Sequence, residues 1–296
     1  MVVTKNTAPD LDDMDVTMAD VLRVLELEEL EVNIFRGRTP KENRPRVFGG
    51  QVAAQATRSA LRTVPSDRRL HSLHSYFLRP GDVAAPILYM VDRIRDGRSF
   101  TTRRVVAVQH GEPIFNMSAS FQVAEEGVEH DLPAPDVPDP ETLPTLSERL
   151  QPYRGRLPER AFKERPIDIR WCDPPGYRPA DGESWQSRVW MRAKAELPDD
   201  PILHTCVLIY ASDYTLTETV MRPHGIHWSD PGVMTASLDH CMWFHGPVRA
   251  DRWWLYVSDS PAATGARGLA RGTIFDRGGR LVGSVAQEVV LRTRSR

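Results

Sequence analysis

The chain is 296 residues long, 41% apolar and 26% charged, with a formal net charge of −2. Such a chain suits a globular protein of two ordinary domains and has no general attraction for nucleic acid or anionic membrane. Its three cysteines, Cys172, Cys206 and Cys241, are too few and too widely spaced for a disulfide framework or a paired CxxC zinc site, and they suit a reducing compartment.

Residues 1–16 are polar and acidic, which reads as a disordered N-terminus and not as a secretory signal. From Thr17 a helix is predicted, with Met18, Val21, Leu22 and Leu25 on one face. A short strand from Val32 to Phe35 follows. Phe48-Gly49-Gly50-Gln51 then opens a helix whose residues Val52, Ala56, Ala60 and Val64 share a face. A helix so rich in alanine and so poor in polar surface is expected to be wrapped by other structure, and the glycine pair lets a backbone or a ligand come close.

Four strands are predicted next, at residues 72–77, 87–94, 100–109 and 114–122, separated by turn signals such as Asp96-Gly97 and His110-Gly111. Their short turns imply an antiparallel meander, expected to curl around the small-residue helix. Residues 124–180 hold eleven of the 24 prolines, between Pro133 and Pro179, and read as a semi-rigid surface linker. Beyond it come a strand at 189–195, an apolar helix from Pro201 through Ala211, and strands at 234–244, 253–257, 268–275 and 281–291. No run reaches the 18 or so apolar residues of a membrane helix, and the final RTRSR is not a peroxisomal address.

The second half repeats the first. At an offset of 167 positions Phe77 falls on Phe244, Tyr89 on Tyr256, Asp92 on Asp259, Arg104 on Arg271 and Ala119 on Ala286, and the match runs without a gap. The chain therefore divides into an N-terminal domain at 17–123, the linker at 124–180 and a C-terminal domain at 181–296. At this offset Ser120 falls on Gln287.

The chain has no G-x-S-x-G elbow, no G-x-G-x-x-G and no Walker A loop, so three common catalytic frameworks are missing. His224, His227, Asp239, His240, Cys241 and His245 cluster in sequence as zinc ligands do. On a strand, however, His240 and Cys241 point to opposite faces, as do His71 and His74; satisfied core and turn histidines are the preferred reading, with no metal site. A third group is Asp213, Ser237 and Gln287. Each is a polar residue in an otherwise apolar segment, where it either satisfies a backbone group or serves chemistry.

The motifs VFGGQ (47–51), LHSLHSYFLRPGD (70–82), DGRSFTTRRV (96–105), YASDY around Asp213, RPHGI (222–226), SLDHCMWFH (237–245), ARGLARG (266–272) and AQEVVLR (286–292) occur in this order along the chain. Together they resemble the type II acyl-CoA thioesterases, double hot-dog enzymes that hydrolyse fatty acyl-CoA. The resemblance spans about Val21 to Arg292.

It implies an α+β fold of two antiparallel sheets, each curled around a central helix and fused side by side. It assigns Asp213, Ser237 and Gln287 to holding and activating one water, with Ser237 where many relatives have threonine. Oxyanion donors are expected near Gly50 and Gln51, at the glycine-rich helix start. Arg267 and Arg271 either grip the phosphates of coenzyme A or form inter-strand salt bridges. No cofactor is implied. The expected partner is acyl-CoA, and the expected assembly is a cytoplasmic homo-oligomer, a dimer or tetramer. The competing readings are a hot-dog acyl-CoA hydratase or dehydratase and a non-catalytic acyl-CoA-binding module.

Overall fold

A computed structural model describes residues 16–40, 45–155, 157, 159–173, 185–227 and 230–293. The predicted disorder of the N-terminus falls on residues outside this set, apart from Val16.

Helix α1 (Met18–Leu25) begins at a capping box in which Thr17 and Asp20 satisfy each other's backbone N–H groups. It is followed by β1 (Glu28–Glu31) and β2 (Ile34–Gly37), joined at Asn33 with φ +62°. Helix α2 (Gly49–Leu61) is buried along nearly its whole length, which its alanines permit. Of strands β3 (Arg68–Phe77), β4 (Ile87–Asp96), β5 (Phe100–Gln109) and β6 (Glu112–Val123), the last three form a meander, whereas β3 pairs with β6 and not with β4, which corrects the predicted four-strand meander. After the proline-rich stretch and the short helix α3 (Leu146–Leu150) come β7 (Ile167–Trp171), β8 (Gln186–Ala193), α4 (Pro201–Ser212) and α5 (Leu216–Met221). The chain closes with β9 (Val233–Ser237), β10 (Asp239–Phe244), β11 (Trp254–Thr264), β12 (Arg267–Asp276) and β13 (Leu281–Thr293).

The expectation of two sheets, each curled around its own helix, is corrected here. The strands form one continuous thirteen-stranded antiparallel sheet in the order β1-β2-β4-β5-β6-β3-β10-β13-β12-β11-β8-β7, with β9 added to β13 off this path. The path is open: it starts at β1 and ends at β7. Its seam is the pairing of β3 with β10, from Asp239 opposite Tyr76 to Trp243 opposite Ser72. In separate sheets each of these strands would carry a row of unpaired backbone donors and acceptors; pairing them satisfies both rows. Alternation in a sequence shows which face of a strand is buried but not which edge finds a partner.

The two central helices pack on each other and α2 also packs on β4, β5 and β6, while α5 lies on β11, β12 and β13. Trp254, Tyr89, Tyr256, Phe35, Phe115 and Phe121 are among the largest fully buried side chains. Two of the large buried polar side chains are satisfied: Tyr89 donates to Gln55 Oε1 at 2.7 Å, and the Arg103 guanidinium donates to Thr63, Asp96 and the Arg95 and Thr102 carbonyls.

The proline-rich stretch runs docked against the second half. Trp190 Nε1 donates to the Pro138 carbonyl at 3.0 Å and Trp253 Nε1 to Glu141 at 2.7 Å. Residues 167–171, read from sequence as connector, supply β7, the last strand of the sheet.

The register refines the internal repeat. Arg103 pairs with Ala119 across β5 and β6, and Leu73 pairs with the same Ala119 across β3 and β6. In the second half, Ala270 pairs with Gln287 across β12 and β13. At the offset of 167, Arg103 corresponds to Ala270, so Gln287 answers Ala119 and not Ser120. The gapless match is corrected by one residue. The turn after β5 has two residues, His110 and Gly111, whereas the turn after β12 is longer, with Gly279 at φ +85°.

Candidate active site

Helix α4 starts with an Asp200 cap and Pro201 at its first turn, and its nearly all-apolar sequence buries it. Asp213 is its C-cap residue, with φ −82° and ψ 0°. The two central helices run antiparallel here, so the start of α2 faces the end of α4. The Gly50 N–H donates to Asp213 Oδ2 at 2.9 Å. A carboxylate at a helix C-terminus is disfavoured by the helix dipole, and the N-terminus of α2 offsets this.

Both glycines of the pair are required by this approach. A Cβ at position 50 would lie 2.3 Å from the Tyr210 carbonyl oxygen, and a Cβ at position 49 would lie 2.8 Å from Asp213 Oδ2. Phe48 stands beside them, its ring 5.1 Å from that of Tyr210 and 5.0 Å from that of Tyr214.

Ser237 and Gln287 come from the facing strands. Sequence reading runs 234–244 as one strand, but the structure breaks it at Leu238. β9 pairs with β13 alone, whereas β10 lies between β3 and β13. The break places Ser237 at the end of β9, over Asp213. Gln287 is fully buried in β13. Gln287 Nε2 donates to Ser237 Oγ at 2.9 Å, and Ser237 Oγ donates to Asp213 Oδ1 at 3.5 Å. The structure thus brings these three predicted residues together.

Burial pushes the Asp213 carboxyl above its ordinary range; His240, Gln287, Gly50 and Ser237 act against that shift without cancelling it. The cluster lies at a cleft of about 460 Å³ whose walls include Val47, Phe48, Phe77 and Ile114. A second hollow of about 520 Å³, bordered by residues 161–169 and 192–196, does not include Asp213, and salt bridges such as Lys194–Glu164 and Arg192–Asp168 cross-pair its charges.

The other predicted residues lie elsewhere or act differently. Gln51 is buried, with its side-chain amide donating to the Arg38 carbonyl at 3.2 Å and to Thr39 at 3.3 Å. Arg267 pairs with Glu288 at 2.8 Å, and Arg271 pairs with Asp259 at 2.8 Å across β11 and β12; both arginines are exposed and neither borders the cleft. His71 contacts Ser120, His74 packs edge-on against Trp243, and His245 contacts Ser284. Among the described residues no group of three or more His, Cys, Asp or Glu side chains could hold a metal, and no helix is long and apolar enough to cross a membrane.

Sequence reasoning missed the part played by His240. Its ring is buried behind the cluster, with Nδ1 2.6 Å from Gln287 Oε1 and Nε2 2.9 Å from Ser212 Oγ. The available signal was its position, one residue before Cys241 and therefore on the inward face of β10, level with the buried Met242.

Two central helices packed on one long antiparallel sheet, with an acid, a hydroxyl and an amide meeting where the helix ends cross, define a hot-dog protein with an enzyme-like cleft. The comparisons with known proteins agree. Residues 162–290 match the family model "Acyl-CoA thioesterase", and residues 38–122 match "Acyl-CoA thioesterase N-terminal domain". The chain is 40% identical to human acyl-coenzyme A thioesterase 8, over 93% of this chain and 89% of that one. It is 38% identical to acyl-CoA thioesterase 2 of Haemophilus influenzae, over 93% and 99% of the two chains. The crystal structure of an acyl-CoA thioesterase II from Mycobacterium marinum superposes with a TM-score of 0.79 at 44% identity, covering 93% of this chain and 99% of that one. The chain belongs to the acyl-CoA thioesterase family.

Proposed function

We propose that this acyl-CoA thioesterase hydrolyses its substrate through a water held by Asp213, Ser237 and Gln287. The observation that carries this reading is the convergence of the three side chains, from a helix end and two strands, beside one cleft that Asp213 and Ser237 line, with Gln287 buried behind Ser237. Asp213 takes a proton from the water as the water oxygen bonds to the thioester carbonyl carbon. Ser237 and Gln287 orient the water, which lowers the entropic part of the barrier. The tetrahedral intermediate collapses with cleavage of the C–S bond. The leaving sulfur takes up the proton from Asp213, which gives free acid and coenzyme A; a thiol with a reference pKa near ~8.5 is a competent leaving group. No covalent acyl-enzyme is required.

A carboxyl raised by burial is matched to a base working near neutral pH. Gly50 contributes by holding that base, since its N–H is used on Oδ2. A hydratase or dehydratase would set a histidine and an acid against an alkene; here the histidine of the cluster faces Gln287 and Ser212, away from the cleft.

The division into two domains is retained in this reading and is supported by the two separate family matches, with the second domain drawn from residue 162, so that it includes β7, in place of residue 181. Three unpaired cysteines suit a reducing compartment, and we place the enzyme in the cytoplasm. The open edges at β1 and β7 and, on other strands, the exposed side chains of Tyr76 (β3) and Met90 (β4) suit a homo-oligomer, dimer or tetramer.

The test is thiol release from acyl-CoA of short to long chain, with Asp213→Asn in parallel. The expected result is release by the wild type and a loss of at least ~100-fold in turnover by the variant. A variant with wild-type turnover overturns the mechanism. Binding without release by either protein overturns the enzyme reading.

A further inference from the structure

We propose that His240 is a positioning residue that fixes which end of the Gln287 amide faces Ser237 and Asp213. This rests on the water-holding reading of Gln287 and deepens it. A glutamine amide carries an acceptor at one end and two donors at the other, and a half-turn of the amide exchanges them. Only one of these ends suits the neighbourhood of the Asp213 carboxylate. With the NH₂ group forward, Gln287 donates to Ser237, whose hydroxyl is then free to donate to Asp213. With the oxygen forward, an acceptor would face a carboxylate.

His240 selects between these states from behind. Gln287 Oε1 lies 2.6 Å from Nδ1 of the ring and accepts only, so Nδ1 carries the proton. A neutral ring then has a bare Nε2 facing Ser212 Oγ at 2.9 Å, and the single hydrogen of that hydroxyl also faces the Ile209 carbonyl at 2.8 Å. Burial holds the imidazole toward its neutral form. The contacts run from His240 to Gln287, from Gln287 to Ser237 and from Ser237 to Asp213, with Ser212 on the far side of the ring, each polarising the next. Ser212, His240 and Gln287 are all essentially inaccessible to water, so solvent cannot replace a lost partner.

The first half of the chain provides the control. Leu73 and Ala119 occupy the positions of His240 and Gln287, and both are buried without strain in the same kind of sheet. The fold therefore accommodates an apolar residue at each of these places, and the polar pair in the second half is not a requirement of packing.

The experiment is a double-mutant cycle of His240→Leu and Gln287→Ala, read as kcat and KM for acyl-CoA hydrolysis, with His240→Asn as the conservative variant. An asparagine amide reaches the place of Nδ1 and keeps a donor toward Gln287. The expected result for His240→Leu is a fall in kcat of about tenfold or more, the scale of one lost buried hydrogen bond, with KM little changed. His240→Asn restores most of the rate, and His240→Leu adds less than about twofold when Gln287→Ala is already present.

Should His240→Leu fail to fold, His240→Gln replaces it in the cycle, because its amide reaches toward Ser212 and not toward Gln287. Two outcomes overturn the inference alone: a folded His240→Leu or His240→Gln with wild-type kcat beside a slow Gln287→Ala, and losses that multiply in the double variant. Wild-type kcat in Gln287→Ala overturns the water-holding reading itself.

Discussion

Gly50 and Asp213 meet where the two central helices cross: the glycine N–H holds one carboxylate oxygen at 2.9 Å, and the position has no room for a side chain. The same residue therefore sets the spacing of the helices and the aim of the acid. Gly50→Ala is expected to push α2 from α4, at a cost of about 1–3 kcal/mol of overpacking, and to lower kcat at least tenfold by loosening the hold on Asp213. Thermal melting and thiol release on one preparation check both parts. A variant that is destabilised but fully active would separate the packing role from the catalytic one.

Asp213 is held above its ordinary pKa by burial, so its ionised form weakens the fold. A carboxyl raised on folding contributes stability that is fully present below its unfolded pKa and is lost as pH rises through its folded pKa. Asp213→Asn is neutral throughout. The variant is therefore expected to melt above the wild type at pH 7–8, and the gap is expected to close as pH falls toward about 4, the unfolded value for aspartate. A pH series of melting curves checks this. A variant that melts below the wild type at neutral pH would show that the carboxylate's hydrogen bonds outweigh its burial.

The same raised carboxyl sets the acid limb of activity. kcat/KM is expected to fall on acidification through a pKa above the ordinary aspartate range, because protonated Asp213 cannot accept from water. A rate profile flat down to pH 4 would contradict this assignment.

Ser237 is partly buried and its contact to Asp213, at 3.5 Å, is long. Ser237→Ala leaves the buried Gln287 amide without this acceptor and is expected to cost about tenfold in kcat, the equivalent of one hydrogen bond. Ser237→Thr keeps the hydroxyl and restricts its rotamer, so its kcat is expected to stay within about threefold of wild type. Steady-state rates of the three proteins on one acyl-CoA decide the point.

The cysteines bear on the assay itself. Burial pushes the thiols of Cys172 and Cys206 up to about 12 and raises Cys241 as well. Thiolate is the reactive form, so native enzyme is expected to consume a chromogenic thiol reagent far more slowly than enzyme in denaturant. Counting reactive thiols in both conditions measures this, and three fast-reacting thiols in the native protein would contradict it.

Much of this molecule can be read from its residues. An acid ending the apolar run before Tyr214, and a glutamine inside the buried strand after Val285, are costly placements that mark a site before any coordinates are seen. The paired glycines at 49 and 50 announce a close approach. What stayed hidden has physical reasons. β1 consists of four exposed residues, Glu28 to Glu31, with no apolar alternation, and forms because Asn33 turns the chain onto β2. β7 alternates in burial over only five residues inside a proline-rich stretch. The break at Leu238 depends on which neighbours β9 and β10 acquire, and His240 became legible only once its ring was seen behind Gln287. The seam between β3 and β10 is likewise a matter of edges, which side-chain patterns do not encode.

That seam changes what the covalent link between the halves is for. Five consecutive residue pairs join β10 to β3, and the crossing of α2 and α4 fastens the same boundary from the side of the helices. A cut within the exposed residues 124–132 would thus leave two fragments that remain one particle, with Gly50 on one piece still gripping Asp213 on the other. Either half made alone would present a raw strand, β3 or β10, to the first chain it met, and that chain could as easily be its own twin.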